Sequence, residues 1–209
     1  MMLSVQFVLL FVFRLALADW DAYTAKIFEM HNDYRQKLLS CKVNGQPAAV
    51  RMPKLSWNRE LASQAKALSK TCKFGFDKPT SRKFPEVGQN IAAYQTVEQA
   101  MEEWFGEHKY YDFKNNQCND RCGNYMQMAF ANTTDIGCGV TECPYSENFK
   151  YGLFIVCNYG PGANFYVRPY EAKNINQVCP VTTVQPGRGK WQATKGTMNF
   201  NARNCYCYK

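Results

Sequence analysis

Ten cysteines, an even number, follow an apolar leader, and this constrains the chain more than any other feature. Phe7 to Phe13 is an unbroken apolar run, and Ala16-Leu17-Ala18 supplies the small residues of a cleavage site. Residues 1–18 therefore read as a signal peptide, with Asp19 as the mature start and Arg14 as an unusual charge inside it. The run is too short to cross a bilayer, which leaves the rival reading, a membrane anchor, weaker. No later segment has the length or apolarity of a membrane span. A secreted, extracellular chain with an even cysteine count reads as a disulfide framework. Zinc is the competing use of cysteine. Cys118-x-x-x-Cys122 imitates half a site, but only His31 and His108 are available to complete it.

At 209 residues the chain fits one domain with a short appendage. Composition shifts toward Pro, Gly, Thr and Lys near Gln177. The expected division is a signal peptide over 1–18, a domain over 19–176 and a cysteine-bound extension over 177–209. The formal charge is +8. Such a charge suits anionic membrane surfaces, glycans or nucleic acid. Here the cations are dispersed, with no basic run of five, so a solvated surface is the preferred reading and no nucleic-acid partner is expected.

Ile27, Met30, Tyr34 and Leu38 recur at helical spacing and form one apolar stripe. Asn58 can cap a second helix carrying Leu61, Ala65, Leu68 and Cys72. Thr96 and Gln99 form a capping box before a third helix with Val97, Met101, Trp104 and His108 inward. A short fourth helix fits Asn124 to Met128. Residues 135–141 and 151–158 read as strands joined by a long hairpin loop. Helices followed by strands indicate an α+β domain.

Four stretches resemble the CAP superfamily, the cysteine-rich secretory, antigen 5 and pathogenesis-related proteins. These are His31-Asn-Asp-Tyr-Arg35, Val87-Gly-Gln-Asn-Ile91, the segment from Cys122 to Gly139, and the segment from Phe154 to Asn164. Among relatives, the venom allergen-like proteins of parasitic flatworms look nearest. The resemblance implies a three-layer α-β-α sandwich, with the cysteine-containing extension appended. It also implies disulfides between Cys138 and Cys157 and between Cys72 and Cys143. It assigns no partners to Cys41, Cys118, Cys122, Cys179, Cys205 and Cys207.

Many CAP proteins hold a divalent metal with two histidines and two acids. The corresponding positions here are Phe76, Gln89, Glu107 and Asn124, so only Glu107 keeps the family's residue type. Phe76 has no lone pair, and the two amides bind zinc poorly. A catalytic zinc takes about three protein ligands. We therefore expect no metal, no cofactor and no enzymatic activity. His108 follows Glu107 directly and cannot face it on a helix. His31 reads as a structural histidine. No Gly-x-Ser-x-Gly element is present.

The family resemblance permits sterol and fatty-acid binding. Phe105, Tyr110 and Phe113 fit the spacing linked to sterols, although the same residues serve a core equally well. Ile27, Met30, Tyr34, Leu38, Val97, Met101 and Trp104 would line an acyl channel if the first and third helices run side by side. The same stripes could instead meet and close the core. A non-catalytic lipid carrier is the leading expectation. The alternative is an effector that binds a host extracellular protein, and a metal-dependent hydrolase ranks last. Asn132-Thr133-Thr134 is a glycosylation sequon.

Overall fold

The computed structural model describes residues 20–145, 149–150 and 152–180. The expected signal peptide, and the extension beyond 180 with Cys205 and Cys207, lie outside the described residues. Helix α1 (Ala22–Leu39) starts at Asp21, whose carboxylate accepts from Thr24 N at 2.8 Å. The Thr24 hydroxyl accepts in return from Asp21 N at 3.0 Å, so two open backbone donors are satisfied together. A two-residue strand β1 (Ser56–Trp57) precedes α2 (Arg59–Ser69), which Asn58 caps. The second helix therefore ends before Cys72, contrary to expectation. Cys72 sits beyond it with φ 50, off the helical path.

Next come β2 (Gly88–Tyr94) and α3 (Val97–Gly106), the latter opened by the Thr96–Gln99 capping box. A 3-10 turn (Glu107–Tyr110) leads into a small hairpin, β3 (Tyr111–Asp112) and β4 (Gln117–Cys118). Helix α4 (Gly123–Ala129) and strands β5 (Asp135–Glu142) and β6 (Leu153–Gly160) follow.

The main sheet has the order β1-β5-β6-β2, with β1 parallel to β5 and the other pairs antiparallel. Helix α2 packs on β5 and β6 from one side, while α1, α3 and α4 pack on one another and on the sheet from the other. This is the expected α+β sandwich. Gly137 and Gly139 admit α2 to the sheet. A Cβ on Gly137 would lie 2.1 Å from Ala62 N, and one on Gly139 would lie 2.3 Å from the Lys66 backbone. The larger core gathers Ile27, Met101, Tyr125, Ile136 and Ile155 on the three-helix side. A smaller one joins Ala65, Ile91, Phe154 and Val156 under α2.

The two implied disulfides are formed. Cys138–Cys157 bridges directly opposed residues of β5 and β6, and Cys72–Cys143 ties the segment after α2 to the end of β5. Two further bridges are present. Cys118–Cys122 closes the hairpin onto the start of α4, and Cys41–Cys179 spans a sequence separation of 138. Cys179 also pairs through its backbone with Gln46 and Gly45. The first residues of the expected extension are thus fastened to the domain.

Candidate functional site

The one acid retained in the cleft is built in as a helix cap. Trp104 anchors α3 by donating from Nε1 to Ile91 O of β2 at 3.2 Å, and the chain then turns at Glu107. Helix α4 begins at Cys122, whose side chain makes no capping bond. Glu107 supplies the missing acceptor. Its Oε2 accepts from Asn124 N at 2.8 Å and Tyr125 N at 3.1 Å, while Oε1 accepts from Asn124 Nδ2 at 2.7 Å. Burial pushes this carboxyl above its ordinary range, against the opposing pull of these donors and Arg121. Both oxygens are engaged, which suits a fixed acceptor better than a general base.

Gln89 is held elsewhere. Its Nε2 donates to Asp77 Oδ1 at 2.7 Å and Asn158 Oδ1 at 2.8 Å, and its Oε1 accepts from Asp77 N at 3.1 Å. Asn158 passes the connection on to Leu61 O of α2. Phe76, beside Asp77, is exposed. Of the four cleft positions, Glu107 and Asn124 are bonded to each other, Gln89 is bonded to Asp77, and Phe76 stands outside both groups. Asn90 runs between them by donating to Asn124 O at 3.2 Å. Among the described residues, no cluster of three or more His, Cys, Asp or Glu is placed to hold a metal ion. The amide-for-histidine and amide-for-acid positions do not fit a divalent cation. Asp77 and Asn158 were missed in the sequence. Asp77 lies next to the Phe76 position, but its pairing with Gln89 bridges twelve residues and leaves no local pattern.

The stripes of α1 and α3 do meet. Ile27, Leu38, Val97, Met101 and Trp104 are buried, and Met30 and Tyr34 are partly so. Tyr34 stacks on Phe105 with ring centres 4.1 Å apart, and burial beside Glu102 and Asp33 pushes its phenol up to about 12. Beneath the seam lies a polar network. His31 Nδ1 faces Ile27 O at 2.8 Å and must carry the proton, so Nε2 accepts from the Tyr159 hydroxyl at 2.8 Å. Burial lowers this imidazole to about 4. One turn on, the Arg35 guanidinium donates to Pro53 O, Met128 O, Phe130 O and Thr133 O. His31 and Arg35 are thus structural members of the motif that they share.

Phe105 and Phe113 are buried and Tyr110 is half-buried, so the three do not form an exposed aromatic wall. Phe113 packs on Tyr170 at 4.6 Å, and Lys109 covers Tyr110. The aromatic spacing reported ring positions without their depth. His108, beside the rings of Phe105 and Tyr125, keeps a buried Nδ1 without a hydrogen-bond partner among the described residues. Burial and Lys109 lower its pKa, so the ring is neutral at pH 7. Asn132 is exposed in the turn between α4 and β5, within reach of modification.

This arrangement of sheet, helices and disulfides has relatives of known family. The model of the CAP family, the cysteine-rich secretory protein family, matches residues 28–159, and the chain belongs to that family. Disulfide-rich construction and membership of a secretory family are consistent with secretion. The chain is 40% identical to venom allergen-like protein 4 of Schistosoma mansoni, with a TM-score of 0.68 over 75% of this chain and 98% of that structure. It is 34% identical to GLIPR1-like protein 1 of Mus musculus, over 75% of this chain and 67% of that protein. It is 36% identical to venom allergen 5.02 of Dolichovespula maculata, over 71% of this chain and 76% of that protein. The match to mouse glioma pathogenesis-related protein 1 spans 61% of that relative's length.

Proposed function

We infer that the protein is a secreted, non-catalytic lipid-binding CAP protein, with sterol as its main ligand class and fatty acid as a second. The observation that supports this reading is His108. Its Nδ1 is buried and, among the described residues, unpartnered, and the rings of Phe105 and Tyr125 lie 5.7 and 6.0 Å from its own. An imidazole nitrogen flanked by aromatic rings would suit a sterol and its single hydroxyl. Phe113 is a core residue, so entry on this side requires the 107–118 segment to lift away from Phe105 on α3. The acyl reading is weaker on magnitude. Burying about fourteen methylenes gains roughly 11 kcal/mol, and association costs roughly 4–15 kcal/mol. The seam between α1 and α3 is already packed, so parting the Tyr34–Phe105 stack adds to that cost.

Solvent extraction of the purified chain followed by mass spectrometry should yield sterol. Substituting half-buried Tyr110 with alanine should weaken sterol binding without altering the melt, since Phe105 and Phe113 also hold the core. His108→Phe should weaken binding of a sterol about tenfold and leave a hydroxyl-free sterane unchanged. No affinity for any sterol or acyl chain would refute the reading, and a tight single zinc site by calorimetry would restore the hydrolase.

A second reading, an effector that binds a host extracellular protein, rests on the turn from Asn164 to Arg168. Phe165, Tyr166 and Val167 are all exposed, Tyr166 at 89%. Asn116 donates to Tyr166 O, and Arg168 donates to Phe113 O and Lys114 O. Exposed aromatics on a fixed backbone are frequent anchors of protein interfaces. Tyr166→Ser should abolish capture of such a partner without altering lipid content.

A further inference from the structure

We propose that the loop from Lys70 to Lys83 docks the protein onto anionic lipid bilayers. This goes beyond the lipid-cargo reading and does not depend on it. The loop holds five cations, Lys70, Lys73, Lys78, Arg82 and Lys83, against one acid, Asp77. Its backbone is fastened at several points. Cys72 is bonded to Cys143 at the base. Further along, Thr80 exchanges two hydrogen bonds with the Gln64 side chain, at 2.7 and 2.9 Å. Asp77 is bound to Gln89, and Lys83 is bound to Asp135 at 2.9 Å. Arg82 is spent on Glu60 at 3.6 Å. Lys70, Lys73 and Lys78 remain, all exposed and, among the described residues, without an ion pair.

Between these lysines the loop presents Phe74 and Phe76, 51% and 48% exposed. Phe74 leans on buried Phe154 with ring centres 5.8 Å apart, so it is positioned rather than loose. Two half-exposed aromatics flanked by free lysines match the two layers of a bilayer interface. The rings enter the acyl boundary while the ammonium groups stay at the phosphates. A soluble polyanion would use the lysines and gain nothing from the rings. The charge and the apolar surface together therefore favour a lipid surface over a glycan or nucleic acid. The one acid of the loop is tied down by Gln89 and faces no competing role.

Co-sedimentation of the full chain with sucrose-loaded vesicles tests this. Vesicles with about 25% phosphatidylserine should carry the protein down, pure phosphatidylcholine should not, and about 0.5 M salt should release it. Changing Lys70, Lys73 and Lys78 to Gln should weaken binding about a hundredfold, near fivefold per lysine. Phe76→Ser should weaken it about tenfold with unchanged melting, which keeps the test independent of the Phe74–Phe154 contact. A control set outside the loop, exposed Lys42, Lys54 and Lys114 to Gln, should bind like the parent protein. Three outcomes would overturn the proposal. These are equal binding to neutral vesicles, equal loss in the control set, and a Phe76→Ser protein that binds vesicles and heparin beads as the parent does. The lipid content of the purified protein, measured in parallel, reports on the cargo reading separately.

Discussion

On one face of the sheet α2 lies so near that Gly137 and Gly139 have no room for a Cβ, whereas the other face holds three helices joined by buried polar side chains. The α2 side is secured mainly by shape, through backbone contact and a small apolar cluster, with side-chain links from Asn158 to Leu61 O and from Ser69 to Thr141 and the Cys72–Cys143 bond at its edge. The other side depends on His31, Arg35, Tyr159 and Glu107, each satisfied by a partner on a different segment. A face closed by shape fails when volume is added. A face closed by hydrogen bonds fails when a donor is removed or when a buried imidazole such as His31 gains a proton.

That contrast is open to direct challenge. The largest effect is expected from Gly139→Val, since the new atoms meet the Lys66 backbone, which cannot rotate aside. We expect about 4 kcal/mol of destabilisation by denaturant unfolding. Arg35→Met should cost about 3 kcal/mol, because four carbonyls lose a shared donor. A smaller loss in this variant would show that water replaces the guanidinium and would weaken the contrast.

The pH response comes next. The folded His31 pKa of about 4 lies below the ordinary imidazole value of 6.5, so the stability it contributes is present above 6.5 and is lost as pH falls toward 4. Thermal melts should show about 2 kcal/mol lost between pH 7 and pH 5 from this group, and His31→Gln should flatten that slope. Glu107 has the opposite sign. Its folded pKa is raised, so its contribution is fullest below the unfolded value and declines as pH rises through the folded one. The smallest effect is expected from Glu107→Gln, about 1 kcal/mol, since the amide still accepts from Asn124 and Tyr125 while one bond is lost.

The elements that the sequence disclosed best were those with local signals. The Thr96–Gln99 capping box, the Asn58 cap and the α1 stripe all reappear in place. Strands β5 and β6 were visible as β-branched and aromatic runs. Strand β2 was harder to see, since Gly-Gln-Asn-Ile-Ala-Ala-Tyr carries only one β-branched residue and owes its conformation to pairing with β6. The same distinction holds at the site. The residue types at Phe76, Gln89, Glu107 and Asn124 could be read, but not that Glu107 caps α4 or that Gln89 holds Asp77. Those partners are brought together by tertiary packing, and no periodicity encodes them. The depth of Phe105 and Phe113 was hidden for the same reason.

The Cys41–Cys179 bond gives the molecule a fixed point of departure. It stitches the end of the described chain to the bend just after α1, and the flanking contacts Pro47–Val178 and Ala49–Ala172 run alongside it. Anything that the polypeptide carries past residue 180 must set out from that pole, whatever it does afterwards. A reductant that opens the bond would release the hem of the domain itself, and would return to the unfolded chain a ring-closure entropy worth roughly 5 kcal/mol.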